Sequence, residues 1–249
     1  MKNFDAVKAK NDCIQWIRDW FAINGPDCKA IIGISGGKDS TVAAALCIEA
    51  LGKDRVIGVK MPNYIQSDIN DSNKVIDYLG IESYEINIGT VVSDILARLH
   101  YSQIDVSNQT RINLSPRIRM ATLYAISQSL NGRVVGTDNA SEAYIGYSTR
   151  WGDNVADLMP LLNFTSEEVV AIGDALGLPY EFTHKVPSDG LCGKTDEDNF
   201  GFTYAILNKY ILTGECDDET IKAKIDYLHE KNLFKLQPIP SFVPIGVRE

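Results

Sequence analysis

The chain has 249 residues, 45% of them hydrophobic, enough to bury the core of one large domain. Its formal net charge of −9 excludes nucleic acid as a general partner, because phosphate backbones are bound by basic patches. The five cysteines form no C-x-x-C pair, and no apolar run has signal or membrane-span length, so a soluble cytoplasmic protein with no membrane partner is expected.

Residues 4–24 place Phe4, Val7, Ile14, Ile17, Trp20 and Phe21 partly in helical register, and Asn24-Gly25-Pro26 ends that helix. A strand at about 29–34 follows, then a helix to about 51, a strand at 55–61, a helix at 67–79, a strand at 83–88 and a helix at 90–101. The next helix is predicted over 115–130, with Pro116 early in it, where proline is tolerated. Its apolar residues suit either an interior helix or a partner-facing one. A short strand at 133–136 closes the regular part.

This alternation predicts an α/β fold: a doubly wound, Rossmann-like, mostly parallel sheet with helices on both faces. Such sheets bind ligands beyond the carboxyl ends of their strands. The turn at 35–40 and Thr137-Asp138 both fall at such ends. Beyond them, 137–160 is irregular and rich in Gly, Asp and Ser. Thr165 and Glu168 make a capping box for a helix that Gly177 and Pro179 close. Residues 184–201 read as a polar loop of lid length. A helix at 217–230 and a proline-rich tail finish the chain, which is read over 1–249 as one domain.

The stretch IIGISGGKDSTVAAAL, residues 31–46, runs from a buried strand through a polar turn into a helix. A turn of this kind aims backbone N–H groups and the positive helix end at one spot, a nest for an anion. The spacing of Gly33, Gly36 and Gly37 fits neither the Walker loop nor the dinucleotide fingerprint. The run Gly33, Ile34, Ser35, Gly36, Gly37, Lys38, Asp39 and Ser40 contains S-G-G-x-D-S, which resembles the pyrophosphatase loop of enzymes that split ATP into AMP and pyrophosphate. The glycines let the backbone wrap a pyrophosphate, the serines offer hydroxyls and Lys38 adds charge. Asp39 would repel phosphate unless it held a metal, which implies Mg²⁺.

Three further stretches, taken with the loop, resemble the ammonia-dependent NAD synthetases: N-L-S-P-R-I-R-M at 113–120; G-T-D-N-A-S-E at 136–142 with Gly152-Asp153 and D-L-M-P at 157–160; and K-V-P-S-D at 185–189. The resemblance covers nearly the whole chain and implies an adenine nucleotide alpha hydrolase-like fold. It implies that deamido-NAD, ATP as co-substrate and ammonia are converted through an acyl-adenylate to NAD, AMP and pyrophosphate. A homodimer is implied, and no glutaminase domain is expected.

Residue by residue, the resemblance places Asp39 and Glu142 on Mg²⁺, and Thr137 and Ser188 on ATP with the 33–40 loop. It places Arg117, Tyr147, Arg150, Asp157 and Lys235 on deamido-NAD, and makes Asp153, Lys38 and Ser188 catalytic. Asp153 would receive ammonium and help deprotonate it. Blander readings stand beside these: a solvated Glu142, a surface Arg117, a core Tyr147 and a Gly-Asp turn at Asp153. Ser166 and Phe234 stand where the family has lysine and histidine, and Lys38 would compensate for the missing charge on the nucleotide. The alternatives are another S-G-G-x-D-S ATP pyrophosphatase or a non-catalytic adenine-nucleotide-binding regulatory protein.

Overall fold

The computed structural model describes residues 4–66, 69–185 and 196–243. In chain order the elements are α1 (Ala6–Asn24), β1 (Lys29–Gly33), α2 (Lys38–Leu51), β2 (Val56–Lys60), α3 (Ile69–Leu79), β3 (Glu82–Glu85), α4 (Gly89–Tyr101), α5 (Asn108–Ser129) and β4 (Gly132–Val135). Then come α6 (Ala140–Ile145), α7 (Ser166–Ala175), α8 (Tyr180–Thr183), α9 (Asp196–Phe200), α10 (Tyr204–Thr213) and α11 (Glu219–Asn232).

The strands pair in parallel in the order β3-β2-β1-β4, with Ala30 opposite both Val56 and Arg133. A parallel bridge from Val135 to Leu158 extends the β4 edge. Because β1 lies between two strands and beneath helices on both faces, Ala30, Ile31 and Ile32 are all fully buried. Their side chains alternate, as period two requires. Ala30 and Ile32 join Ile17 and Phe21 of α1, Leu46 of α2 and Ile172 of α7. Ile31 joins Ile57, Ile88 and Val92 on the other face, under Leu114, Ile118 and Leu123 of α5. A third cluster of Ile145, Phe200, Phe202, Leu207 and Ile225 ties α6, α9, α10 and α11 together. The doubly wound parallel sheet is as expected, and among the described residues no helix is long and apolar enough to cross a membrane.

Three expectations are corrected. α5 starts one side chain after Ser107, whose Oγ accepts from Thr110 N, so Pro116 lies in the helix interior rather than early in it. The proline removes one N–H from the ladder. The apolar side of α5 that packs on the sheet offsets that loss, while the opposite side, with Ile112 and Ala121, stays exposed, so the helix is a half-covered outer layer. Second, α6 forms within the 137–160 stretch that looked irregular, and α8 and α10 form where no element was expected. Third, residues 196–200 of the expected lid loop are helical, while 186–195 lie outside the described residues.

Candidate active site

The turn between β1 and α2 is built from its own side chains. Ile34 N donates to Val59 O at 2.9 Å, which ties the turn to β2. Gly36 has φ +79°, and a Cβ there would stand 2.7 Å from Ser72 N, so both conformation and space demand glycine. Gly37 caps α2; its carbonyl accepts from Ser40 Oγ at 3.1 Å and from Thr41 Oγ1 at 2.8 Å. Ser35 Oγ accepts from Gly37 N at 3.2 Å and lies 3.2 Å from Ser40 Oγ.

Asn139 joins this turn to the one after β4. Its Oδ1 accepts from Ser141 N and Glu142 N at the start of α6, and its Nδ2 donates to Asp39 Oδ1 at 3.1 Å. One side chain therefore sets Asp39 against Glu142. The other oxygen of Asp39 accepts from Lys38 Nζ at 2.8 Å, and the lysine side chain is only 4% exposed. Burial by itself would depress the Lys38 ammonium; Asp39, Glu142 and Asp196 outweigh it and hold the pKa above its ordinary value.

The acids continue along the cleft. Burial, then Asp39, pushes the Glu142 carboxyl well above its ordinary value, against the opposing pull of Lys38. Asp138 is 6% exposed, and burial, followed by Asp153 and Asp39, raises it to about 8. Asp153 is reachable by solvent, yet protein crowds its other sides and raises its pKa as well, while Thr149 N donates to its Oδ1 at 2.7 Å. Asp196, at the start of α9, accepts from Tyr204 OH at 3.2 Å. Among the described residues no three His, Cys, Asp or Glu side chains are grouped to enclose a metal. Asp39 and Glu142 offer hard oxygen donors, with too little positive charge around them. That suits Mg²⁺, which takes one or two carboxylates and completes its shell with water and phosphate.

These groups share a cleft of about 820 Å³ at the carboxyl ends of β1 and β4. Gly33, Ile34, Ser35, Gly37, Lys38, Asp39, Ser40, Thr137, Glu142, Tyr147, Asp153 and Lys235 all line it. Tyr147 is also packing: its ring meets Phe200 edge-on at 5.4 Å, and its OH accepts from Asn199 Nδ2. Lys235 Nζ donates to Gly146 O at 2.7 Å and Ser148 O at 3.0 Å, so it braces the turn before Asp153. Lys185 Nζ donates to Asp71 Oδ2 at 2.7 Å, beside the Gly36 turn.

Arg117, Arg150 and Asp157 are outside that lining. The Arg150 guanidinium is set 5.0 Å from the Trp151 ring and 4.9 Å from the Phe234 ring, and Arg117 Nε donates to Arg150 O at 3.3 Å. Asp157 Oδ2 accepts from Val134 N at 2.7 Å in a separate hollow with Tyr124. Ser188 lies outside the described residues. Ser166 is buried on Ser141 Oγ, away from the cleft. Sequence reasoning passed over Asn139, Asp196 and Arg119, and gave Asp138 no role. The sequence places Asp138 at the carboxyl end of a strand but carries no sign of its burial or of the acids beside it.

The family model for NAD synthase matches residues 10–238. The NH3-dependent NAD+ synthetase of Thermococcus sibiricus is 38% identical over 213 residues, which is 85% of this chain and 82% of that protein. Among solved structures, the NMN synthetase from Francisella tularensis superposes with a TM-score of 0.87 at 33% identity, covering 96% of this chain and 99% of that one. The NH3-dependent NAD synthetase from Campylobacter jejuni superposes with a TM-score of 0.78 at 26% identity, covering 97% of this chain and 100% of that one.

Proposed function

The chain belongs to the NAD synthase family, and on that premise we propose that it amidates deamido-NAD with ammonia at the expense of ATP. The observation that carries this is the convergence of the 35–40 turn, Glu142 and Asp153 on one cleft. A nicotinate carboxylate is a poor electrophile. Its oxygen attacks the α-phosphorus of ATP, the bond to pyrophosphate breaks, and an acyl-adenylate forms. Ammonia then attacks the carbonyl carbon, and AMP leaves.

Each part of the cleft answers a need of that chemistry. The 33–40 turn, with Thr137, receives the triphosphate and fixes it for in-line displacement. Asp39 and Glu142 would hold Mg²⁺, which when bound neutralises charge on the departing pyrophosphate. Arg119 and Lys235, at the cleft wall, face the negative acceptor, and Tyr147 offers a ring to its pyridine. Ammonium is no nucleophile until it loses a proton. Asp153 attracts the cation, and its raised pKa makes it a stronger base than an ordinary aspartate near neutral pH.

Arg117, Arg150 and Asp157 fit as acceptor contacts completed by a second copy of the chain. Val91 and Tyr101 of α4, Ile104 after it and Ile112 of α5 expose apolar surface that would be covered in a homodimer, and light scattering on the purified chain tests that. The described cysteines Cys13, Cys28, Cys47 and Cys216 are free thiols, which favours a reducing, cytoplasmic setting.

The likeness to an NMN synthetase gives a second reading, in which the acceptor is the mononucleotide acid. One assay tests both. The protein, ATP and Mg²⁺ are mixed with deamido-NAD or nicotinate mononucleotide, and with ammonium or glutamine. NAD and AMP formed in equal amounts with ammonium alone are the expected products. NMN formed faster than NAD would transfer the assignment to the mononucleotide, and AMP with neither amide would overturn both.

A further inference from the structure

We propose that Lys38 is a built-in cation that occupies the divalent ion's place beside Asp39 until nucleotide phosphate draws it away. The proposal rests on the reading of Asp39 and Glu142 as the Mg²⁺ pair. Both oxygens of Asp39 already meet a donor, Lys38 Nζ on one and Asn139 Nδ2 on the other. The same ammonium feels the charges of Glu142 and Asp196 and is held over the Tyr204 ring at 5.8 Å. The Tyr204 hydroxyl is itself engaged by Asp196, so the floor beneath the lysine is fixed.

A hard dication entering next to Asp39 would have to sit beside a buried ammonium in a poorly hydrated site. Like charges that close repel strongly, and little water intervenes to screen them. The dication therefore binds weakly while Lys38 keeps its place. Lys38 also lines the cleft, so its ammonium has a route towards a bound ligand. A polyphosphate offers it several anionic oxygens in exchange for one carboxylate. Once the ammonium turns to phosphate, Asp39 is released to share a dication with the same phosphates. Metal and nucleotide then bind as a coupled pair, and metal alone does not load the site.

Manganese serves as the probe, and its free concentration is read by electron paramagnetic resonance. The intact chain is titrated alone and with α,β-methylene-ATP, whose bridge cannot release pyrophosphate, and a protein-free titration of the analogue is subtracted to remove the Mn²⁺ that its phosphates bind by themselves. Without nucleotide, Lys38→Gln is expected to bind Mn²⁺ at least ten-fold more tightly than wild type. With the analogue, wild type is expected to gain at least ten-fold. Lys38→Met gives the same readout should the glutamine variant fold poorly. The double variant Lys38→Gln/Asp39→Asn is expected to lose the gain, which locates the ion. Equal Mn²⁺ affinity in wild type and both Lys38 variants would overturn the lysine's role and leave the metal pair standing. A gain that survives Asp39→Asn would overturn it too. No Mn²⁺ binding by any protein, even with the analogue, would remove the metal pair and the inference together.

Discussion

At the scale of residues, the acids divide by what surrounds them. Asp153 faces the cleft and is the group assigned to ammonium. Asp153→Asn is expected to lower kcat for amidation by about 100-fold or more, as loss of a positioned base does. Pyrophosphate exchange into ATP, which reports the adenylation step alone, is expected to stay within a few-fold of wild type. Loss of both in parallel would move Asp153 to the first step. Asp138 is the buried one, raised to about 8 from an ordinary 3.8. The folded state therefore holds a proton that the unfolded chain releases, and this group's contribution to stability falls as pH climbs from about 4 to about 8. Melting curves of the ligand-free protein check this: Asp138→Asn is expected to gain on wild type by about 4 °C more at pH 8 than at pH 5. The sequence shows Asp138 plainly, but not its neighbours. Asp39 and Asn139 are 100 positions apart and meet only because β1 and β4 pair, so the charge crowding around Asp138 was invisible before the sheet was built.

At the scale of elements, β1, its turn and α2 were legible because every signal is local: three isoleucines, two glycines, then a run of alanines. The turn is also where a single atom has the clearest effect. Gly36→Ala would add a Cβ at positive φ against Ser72 N, a cost of about 2 kcal/mol or more. A fall in Tm of about 4 °C is expected, along with loss of nucleotide binding by calorimetry. The capping box of α7 was equally readable, and the structure contains both halves of it. Thr165→Ala is expected to cost about 1 kcal/mol, read as a lowered urea midpoint at unchanged slope. α6 and α10 were not readable. α6 is a six-residue helix whose cap is a buried asparagine, and α10 depends on Leu207 and Tyr204 packing with residues from α9 and α11. Pro116 misled for a related reason: proline marks a helix start in an isolated segment, but packing on a sheet can carry a helix through it.

At the scale of the whole molecule, an acidic chain must receive an anionic nucleotide and an anionic acceptor in one cleft. It solves this with backbone amides, a few cations placed at the wall and an added metal, while the charge of −9 is carried elsewhere as well. The ligand-free molecule thus stores repulsion among its acids. Mg²⁺ and α,β-methylene-ATP together, at a hundred times their Kd, are expected to raise Tm by about 5 °C or more, and either alone by much less. Equal shifts from nucleotide with and without metal would show that the acids need no added cation. The chain has three tryptophans. Trp16 and Trp20 stand on α1, which lends nothing to the cleft, whereas the Trp151 ring meets the Arg150 guanidinium, with Phe234 on it too, just outside the cleft beside its lining residues Thr149 and Gly152. A ligand that draws the guanidinium away from those rings changes the polarity around one indole and leaves the other two untouched. The molecule thereby carries its own optical gauge: a shift in emission that Trp151→Phe abolishes would time the arrival of the acceptor without any label.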